Sequence, residues 1–477
     1  MVELLTAWTP GISCVTMISE KTRSLVKTKQ VKFLDLKYSD LLGRLRHVTL
    51  PIEHLVKATK EGVGFDSSSV AGFRTVDAGD MVLKPDLETA VVDPFARQPT
   101  VSCFAGIYDP ATGGRYERDP RHILERAVAL VKKATGADEV MVRPEYEFYL
   151  FSKAEFWTDE TSAAYRVETE ELRHDDQTGL ALYKGPAYHV APPFDRSSDF
   201  RSELTLMMAD CGIPVKYHHH EGGRFSQLEV EPTYLPAMKA TDGIMLAKYL
   251  TRNLARRNQK TVTFMPKPIY GEPGSGMHIH QYLAKAGRSM FGNARKAGML
   301  SELATHYIGG ILAHAPSLCA LTNPSTNSYR RLVPGFEAPV LVFFSFADRT
   351  AAIRIPGYIS SARDMAIEYR IPDGTANPYL ALAAILLAGL DGIKRRTDPG
   401  MPLKGDLESQ DRDYGTKTLP TSLGAALEEL KQDHEYLVSQ GVFTRDTVDK
   451  WVEMKMTDAE ALARRPHPWE YNLYYGC

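Results

Sequence analysis

The stretch Arg143-Pro144-Glu145-Tyr146-Glu147-Phe148-Tyr149-Leu150 lies within a run of β-formers that begins at Val140 and closes at Phe151. Side chains alternate across a strand, so Glu145, Glu147 and Tyr149 are expected on one side and Tyr146, Phe148 and Leu150 on the other. At about 3.3 Å rise per residue, the two carboxylates stand roughly 6–7 Å apart along the chain. Like charges that close raise each other's pKa unless a cation compensates them, and a divalent metal is the economical compensation. For these two residues alone, a strand with one solvated face and half of a metal site are both open readings.

Further along, Phe225 to Glu231 repeats the chemistry, with Gln227, Glu229 and Glu231 on one face and Leu228 and Val230 opposite. It follows His218-His219-His220-Glu221, in which three consecutive histidines cannot all face one ion, so at most one or two act. Gly274-Ser275-Gly276-Met277-His278-Ile279-His280 leads small, turn-forming residues into a strand with His278 and His280 on the same side. It lacks the terminal Lys-Ser/Thr of a phosphate-binding loop, which excludes that motif. The densest constellation runs from Asn327 through Arg330, Arg331, Gly335, Phe336 and Glu337 to Arg349, Arg354, Glu368 and Arg370. Guanidinium groups match carboxylate and phosphate oxygens bidentately, which suits an anionic substrate beside a polyphosphate; a surface salt-bridge network is the alternative. Together, the carboxylates, a histidine and the arginines describe two hard divalent cations clamped beside phosphates, the equipment of phosphoryl transfer.

Outward from these motifs, strands interleave with helices throughout, which points to an α+β enzyme of two unequal domains. Residues 1–30 read as a loosely held extension ending in a basic cluster, 31–118 as a small β-rich domain and 119–477 as the catalytic domain. Asp119-Pro120 caps a helix whose Ile123, Leu124, Ala127, Val128 and Val131 share one face and which Gly136 ends. Further helices are expected over Asp242 to Asn258, Leu300 to Ala315 and Tyr379 to Gly392, with Ser422 as an N-cap near the C-terminus. The 57 Lys and Arg against 59 Asp and Glu leave a net charge of −2, which disfavours a dedicated nucleic-acid or anionic-membrane binder. Tyr379 to Leu390 is too short to span a bilayer, and the five scattered cysteines contain no CxxC pair. With no basic-then-apolar leader at the N-terminus, a cytoplasmic protein is expected.

These stretches resemble the glutamine synthetase family, type I, from about Val31 to Tyr475. Phe65-Asp66-Ser67-Ser68-Ser69 is similar to the family's Asp-Gly-Ser-Ser loop, and Arg143 to Phe148 to its paired-glutamate strand. His219-His220-Glu221 with Gln227 and Glu229 resembles its second metal strand, and Gly274 to His278 its Gly-Ser-Gly-Met-His segment. Asn323 to Pro339 resembles the substrate loop and flap, Arg349 and Arg354 the phosphate arginines, and Glu368 to Leu380 the closing metal motif. The resemblance implies a β-grasp-like N-terminal domain and a large catalytic domain whose curved antiparallel sheet, flanked by helices, lines a metal-bearing funnel. It implies Glu147, Glu221 and Glu229 around one Mg²⁺ or Mn²⁺ and Glu145, His278 and Glu368 around the other. Gly274 and Arg331 would bind the amino acid, while Arg349, Arg354 and Arg370, with His280 on the nucleotide side, would serve ATP and phosphoryl transfer. Asp66 would attract ammonium and take its proton, and Glu337 would shield the acyl phosphate from water. The family assembles such sites between subunits, typically as a dodecamer of two hexameric rings.

Several positions depart from the family pattern. Pro273 stands for a usual Asn, Ser67 and Ser226 for Gly, Ala366 for Arg, Arg363 for Lys and Tyr282 for Ser. Around Gly405 to Glu408 there is no tyrosine for adenylylation. The leading expectation is ATP-dependent ligation of ammonia to glutamate, because Asp66 and Glu337 specialise the site for ammonium and both are present. A γ-glutamyl-amine ligase using an alkylamine or polyamine is the alternative, followed by a catalytically silent assembly homologue.

Overall fold

The computed structural model describes residues 20–172, 187–293, 296, 298–403 and 416–477, and no helix among them is long and apolar enough to cross a membrane. The chain divides into two compact units, Met1–His122 and Ile123–Cys477. The expectation about Gly405 to Glu408 falls outside the described residues.

In the first unit, β1 (Phe33–Ser39), β2 (Leu45–Pro51), β3 (Val63–Asp66), β4 (Asp80–Pro85), β5 (Val91–Val92) and β6 (Thr100–Tyr108) form a sheet ordered β2-β1-β6-β4-β3, with β5 on β6. The β1–β6 pair is parallel and the others antiparallel. Leu34, Leu36, Met81, Leu83, Val101 and Ile107 are its buried centre, each worth on the order of 1.5–3 kcal/mol of burial. Order begins before Val31, contrary to the sequence reading: a helix spans Glu20–Thr28. Its Leu25 and Val26 pack on this core and the Thr22 hydroxyl donates to the Leu87 carbonyl at 3.2 Å. Two apolar positions are enough to seat it but too few to show a period.

In the second unit, the helix Pro120–Thr135, which starts just before the division, ends at Gly136 with φ +72°, and Ile123, Leu124, Ala127 and Val131 are fully buried, as the capping pattern predicts. The strand expected over Val140 to Phe151 is instead two: β7 (Glu139–Pro144) and β8 (Tyr146–Phe151), which belong to different sheets. The break falls at Pro144-Glu145, where proline withholds the ladder N–H. After β8 come β9 (Lys153–Thr158) and β10 (Ala163–Glu168), a hairpin, then β11 (Val215–His220), β12 (Gln227–Pro232), β13 (Leu235–Pro236), β14 (Thr261–Thr263), β15 (Ile279–Lys285), β16 (Arg288–Ser289), β17 (Phe344–Phe346), β18 (Ile353–Ile355) and β19 (Ile367–Tyr369). One sheet runs β11-β12-β8-β14; the other runs β13-β7-β15-β19-β18-β17 with β16 on β15. Only β17–β18 is parallel in these two sheets. Behind them, the helix Pro378–Arg395, Asn-capped and apolar along most of its length, crosses Glu302–Ala313 through glycines that let the backbones meet. The expected helix Leu300 to Ala315 is thus Glu302–Ala313, continued after His314 by Ala315–Thr322, and Ser422 caps the helix Leu423–Gln432.

Candidate cation and substrate site

Strand register, not sequence proximity, builds the site. His219 on β11 stands opposite Glu229 on β12, which stands opposite Glu147 on β8. Directly opposed residues have Cβ atoms about 4.5–5.5 Å apart, and like charges so placed repel. A second row crosses the other sheet: Arg143 on β7, His280 on β15, Glu368 on β19 and Arg354 on β18. Glu145 sits at the step between the sheets, its N–H donating to the His278 carbonyl at 3.0 Å. That step points its carboxylate at both histidines, 2.7 Å from His278 Nδ1 and 2.6 Å from His280 Nε2.

The two rows differ in how their charge is balanced. Burial works against the ionised Glu145, yet the His280 and His278 imidazoles hold it well below the usual carboxylate range. Burial likewise opposes ionisation of Glu368, but Arg370 and its other cationic neighbours bring it down to about 2, with Arg354 Nη1 2.6 Å away. By contrast, burial and the neighbouring Glu147 push Glu221 up to about 7, and burial together with Glu145, Glu221 and Glu147 pushes Glu229 well up. The His219 imidazole, 3.8 Å from each of Glu221 and Glu229, is a weak counter-charge, because burial lowers its own pKa. Ligand atoms of Glu145, Glu147 and His278, of Glu145, His280 and Glu368, and of His219, Glu221 and Glu229 lie within 4.8 Å of one another in each group. The donors are carboxylate oxygens and imidazole nitrogens, with the Glu221–Glu229 side short of positive charge, a set that fits Mg²⁺ or Mn²⁺.

All of these side chains line one pocket of ≈490 Å³, and with them Gly274, Arg331, Glu337, Arg349, Arg354 and Arg370. Arg331, at the end of the short helix Ser328–Arg331, is buried and donates to the carbonyls of Ile371 (2.8 Å) and Arg370 (3.0 Å) and contacts His278 Nε2 at 3.2 Å. Arg370 pairs with Glu368 and donates through Nε to the Arg349 carbonyl and through Nη2 to the Glu337 carbonyl. Glu337 is exposed on an irregular arm with φ +52°. Asp66 lies in the other unit at the exposed end of β3, where the Ser68 N–H, 2.8 Å away, lowers its pKa.

Of the residues that depart from the pattern, Ser67 keeps φ out of the left-handed region and its hydroxyl donates to the Gly79 carbonyl at 2.8 Å, so that loop does not need glycine. Ser226 does take φ +61°, held by its N–H donating to Glu171 Oε2 at 2.6 Å. Glu171 also meets His220 Nε2 at 3.2 Å, which gives the third histidine of the run a supporting partner outside the pocket. Tyr282 packs edge-on against Tyr234, with ring centroids 5.0 Å apart. Phe336, part of the Asn327–Glu337 constellation, lines the pocket too, and so do Tyr188, Tyr217 and Tyr358, although no motif singled out these three tyrosines as site residues. Tyr188 is brought in from a proline-rich turn, and only the fold shows its hydroxyl close to Arg349.

Fold and site define a two-unit α+β protein whose second unit holds a buried carboxylate–histidine cluster that could hold a cation, beside an arginine wall. Family models for the glutamine synthetase β-grasp domain and the glutamine synthetase catalytic domain match residues 30–110 and 117–474. The chain belongs to the glutamine synthetase family. It is 41% identical over 466 residues to a glutamine synthetase of Streptomyces coelicolor, covering 96% of this chain and 99% of the relative. The figure is 41% over 462 residues for the enzyme of Aquifex aeolicus, covering 96% and 98%. Among solved structures, it resembles a Plasmodium falciparum glutamine synthetase with TM-score 0.87 and 25% identity, over 96% of this chain and 99% of that one. It also resembles GmaS in complex with ADP, with TM-score 0.81 and 27% identity, over 95% and 99%.

Proposed function

We propose that this protein joins ammonia to the γ-carboxylate of L-glutamate with ATP, giving glutamine, ADP and phosphate. The observation that carries the reading is the gathering of two differently balanced acid rows, four arginines and Glu337 around one pocket. Glu147, Glu221 and Glu229 would hold one divalent cation and Glu145, His278 and Glu368 the other. Such cations, when bound, polarise phosphoryl oxygens and offset their charge. Arg331, beside Gly274, positions the glutamate, and its carbonyl-tethered guanidinium keeps the orientation fixed. The γ-carboxylate oxygen attacks the terminal phosphorus of ATP, the bond to the bridging oxygen breaks and ADP leaves. Arg349, Arg354 and Arg370 offset the transferring charge, and His280 serves the nucleotide side. The product is γ-glutamyl phosphate. Asp66 takes a proton from ammonium, ammonia attacks the acyl carbon and phosphate leaves, while Glu337 excludes water. The domains would be 31–118 and 119–477 after the extension 1–30. We place the enzyme in the cytoplasm as a homo-oligomer, a dodecamer of two hexameric rings with Asp66 supplied by a neighbouring subunit.

Phosphate and glutamine release measured with ATP, Mg²⁺ or Mn²⁺ and glutamate, comparing ammonium with methylamine, ethanolamine and putrescine, tests the reading. Turnover with ammonium well above every amine, and lost in Glu337→Ala, is expected. Preference for an amine would reassign the second substrate, and no turnover with either metal in an assembled oligomer would sink the enzymatic reading.

A further inference from the structure

Glu337 does not hold its own position. From Val333 to Val340 the chain has neither helix nor strand, and Gly335 and Glu337 take φ of +88° and +52°. A left-handed conformation at a residue with a side chain persists only where surrounding contacts enforce it. One such contact comes from inside the pocket, where Arg370 Nη2 donates to the Glu337 carbonyl at 3.2 Å. A second contact is at the neighbouring ring: the Lys267 ammonium lies 3.5 Å from the centroid of Phe336, the residue immediately before Glu337. An ammonium that close to an aromatic face, half withdrawn from water, is attracted by the ring quadrupole.

Lys267 is itself rigidly mounted. Its N–H donates to Asn327 Oδ1 at 2.7 Å and its carbonyl accepts from Asn327 Nδ2 at 3.0 Å, a two-point clamp. Its ammonium also donates to the Glu272 carbonyl at 2.5 Å, which turns the head group toward the ring. The neighbouring Pro266 carbonyl accepts the Ser275 N–H at 2.8 Å, so the mount is continuous with the segment carrying Gly274 and His278.

We propose that Lys267 is a positioning residue that latches the Val333–Val340 arm over the pocket through Phe336, and so keeps Glu337 where it excludes water from the acyl phosphate. The proposal rests on the reading of Glu337 given above. The latch acts through a positive charge over an aromatic face, which Lys267→Arg keeps and Lys267→Gln removes.

The test compares Lys267→Gln, Lys267→Arg, Phe336→Leu and the double variant Lys267→Gln/Phe336→Leu in the full chain, with two readouts. Backbone hydrogen exchange across residues 333–340 reports the latch whether or not the enzyme turns over. Exchange about two- to thirtyfold faster is expected in each of the Gln and Leu variants, the range of a partly desolvated cation–π contact. The double variant should add little, and Lys267→Arg should restore protection. Unchanged exchange in Lys267→Gln, or strictly additive effects in the double variant, would overturn the latch. The second readout is glutamine formed per phosphate released: it should fall in the unlatched variants and recover in Lys267→Arg. Faster exchange with full coupling would overturn the water-exclusion role. If the unmodified protein forms no glutamine, the functional reading fails while the exchange data still decide the latch.

Discussion

Gly276 is the place where one added carbon tests the geometry of the pocket. Its N–H donates to Glu147 Oε2 at 2.8 Å, and a Cβ built on it would stand 2.6 Å from Arg331 Nη2 and 2.7 Å from His278 Nε2. Its φ lies outside the left-handed region, so alanine is acceptable to the backbone and the nearest conflicts are with those two side chains. Ordinary contact begins near 3.4 Å, so each must retreat by roughly 0.7–0.8 Å. A misplacement near 1 Å in a reacting constellation costs about a hundredfold in rate, or roughly 2.7 kcal/mol in the transition state. The fold should lose no more than about 1–2 kcal/mol, because the ends of two side chains yield rather than the main chain. Gly274→Ala differs, since its Cβ would stand 2.5 Å from the Pro266 carbonyl oxygen, and it should lose stability along with activity. Gly424→Ala, whose Cβ meets only Ser422 Oγ at 4.0 Å, is the control. Steady-state glutamine formation beside thermal melts of the three variants gives the answer. A well-folded Gly276→Ala within about threefold of the parent kcat/KM would refute the placement of His278 and Arg331 as working partners.

Glu229→Gln should weaken Mn²⁺ binding by at least about tenfold in a titration followed by electron paramagnetic resonance; unchanged affinity would remove the row Glu147–Glu229 from the cation site. His314 lies between Asp433 and Asp391, 2.8 and 3.0 Å away; burial opposes its charge but these partners raise its pKa. Protonated, it contributes stability that is full below its unfolded pKa of about 6.5 and is lost as pH rises through the raised folded value. Melting temperatures measured from pH 6 upward should decline over that window, and His314→Gln should flatten the decline. Gly310→Ala places a Cβ 2.2 Å from the Ala388 carbonyl oxygen and 2.6 Å from the Gly392 nitrogen. Because both are main-chain atoms of the crossing helix, urea unfolding should show about 2–3 kcal/mol lost, and a neutral result would contradict that crossing.

Much of the candidate site was legible because its acidic and histidine side chains recur at a spacing that matches a strand: Gln227, Glu229 and Glu231 lie on one strand, and His278 and His280 both reach Glu145. The helix beginning at Asp119-Pro120 and the cap at Ser422 were equally readable from local chemistry. What could not be read was register. Nothing local says that Glu147 stands opposite Glu229, or Glu368 opposite His280, since these are long-range pairings. Nor does periodicity show that one β-forming run changes sheets at Pro144; the hydrophobic pattern continues through the step although the hydrogen-bonding partners do not. Tyr188 and Tyr217 escaped notice as site residues for a related reason, because exposed tyrosines in turns or at strand edges carry no spacing signal.

The passage through γ-glutamyl phosphate is tested most directly by oxygen tracing. Glutamate carrying ¹⁸O in both γ-carboxylate oxygens is turned over with unlabelled ATP and ammonium, and the released phosphate is examined by mass spectrometry. One ¹⁸O per phosphate, with the second retained in the amide of glutamine, is the result expected if the carboxylate attacks the terminal phosphorus. Phosphate that carries no label, released while glutamine forms, would contradict it.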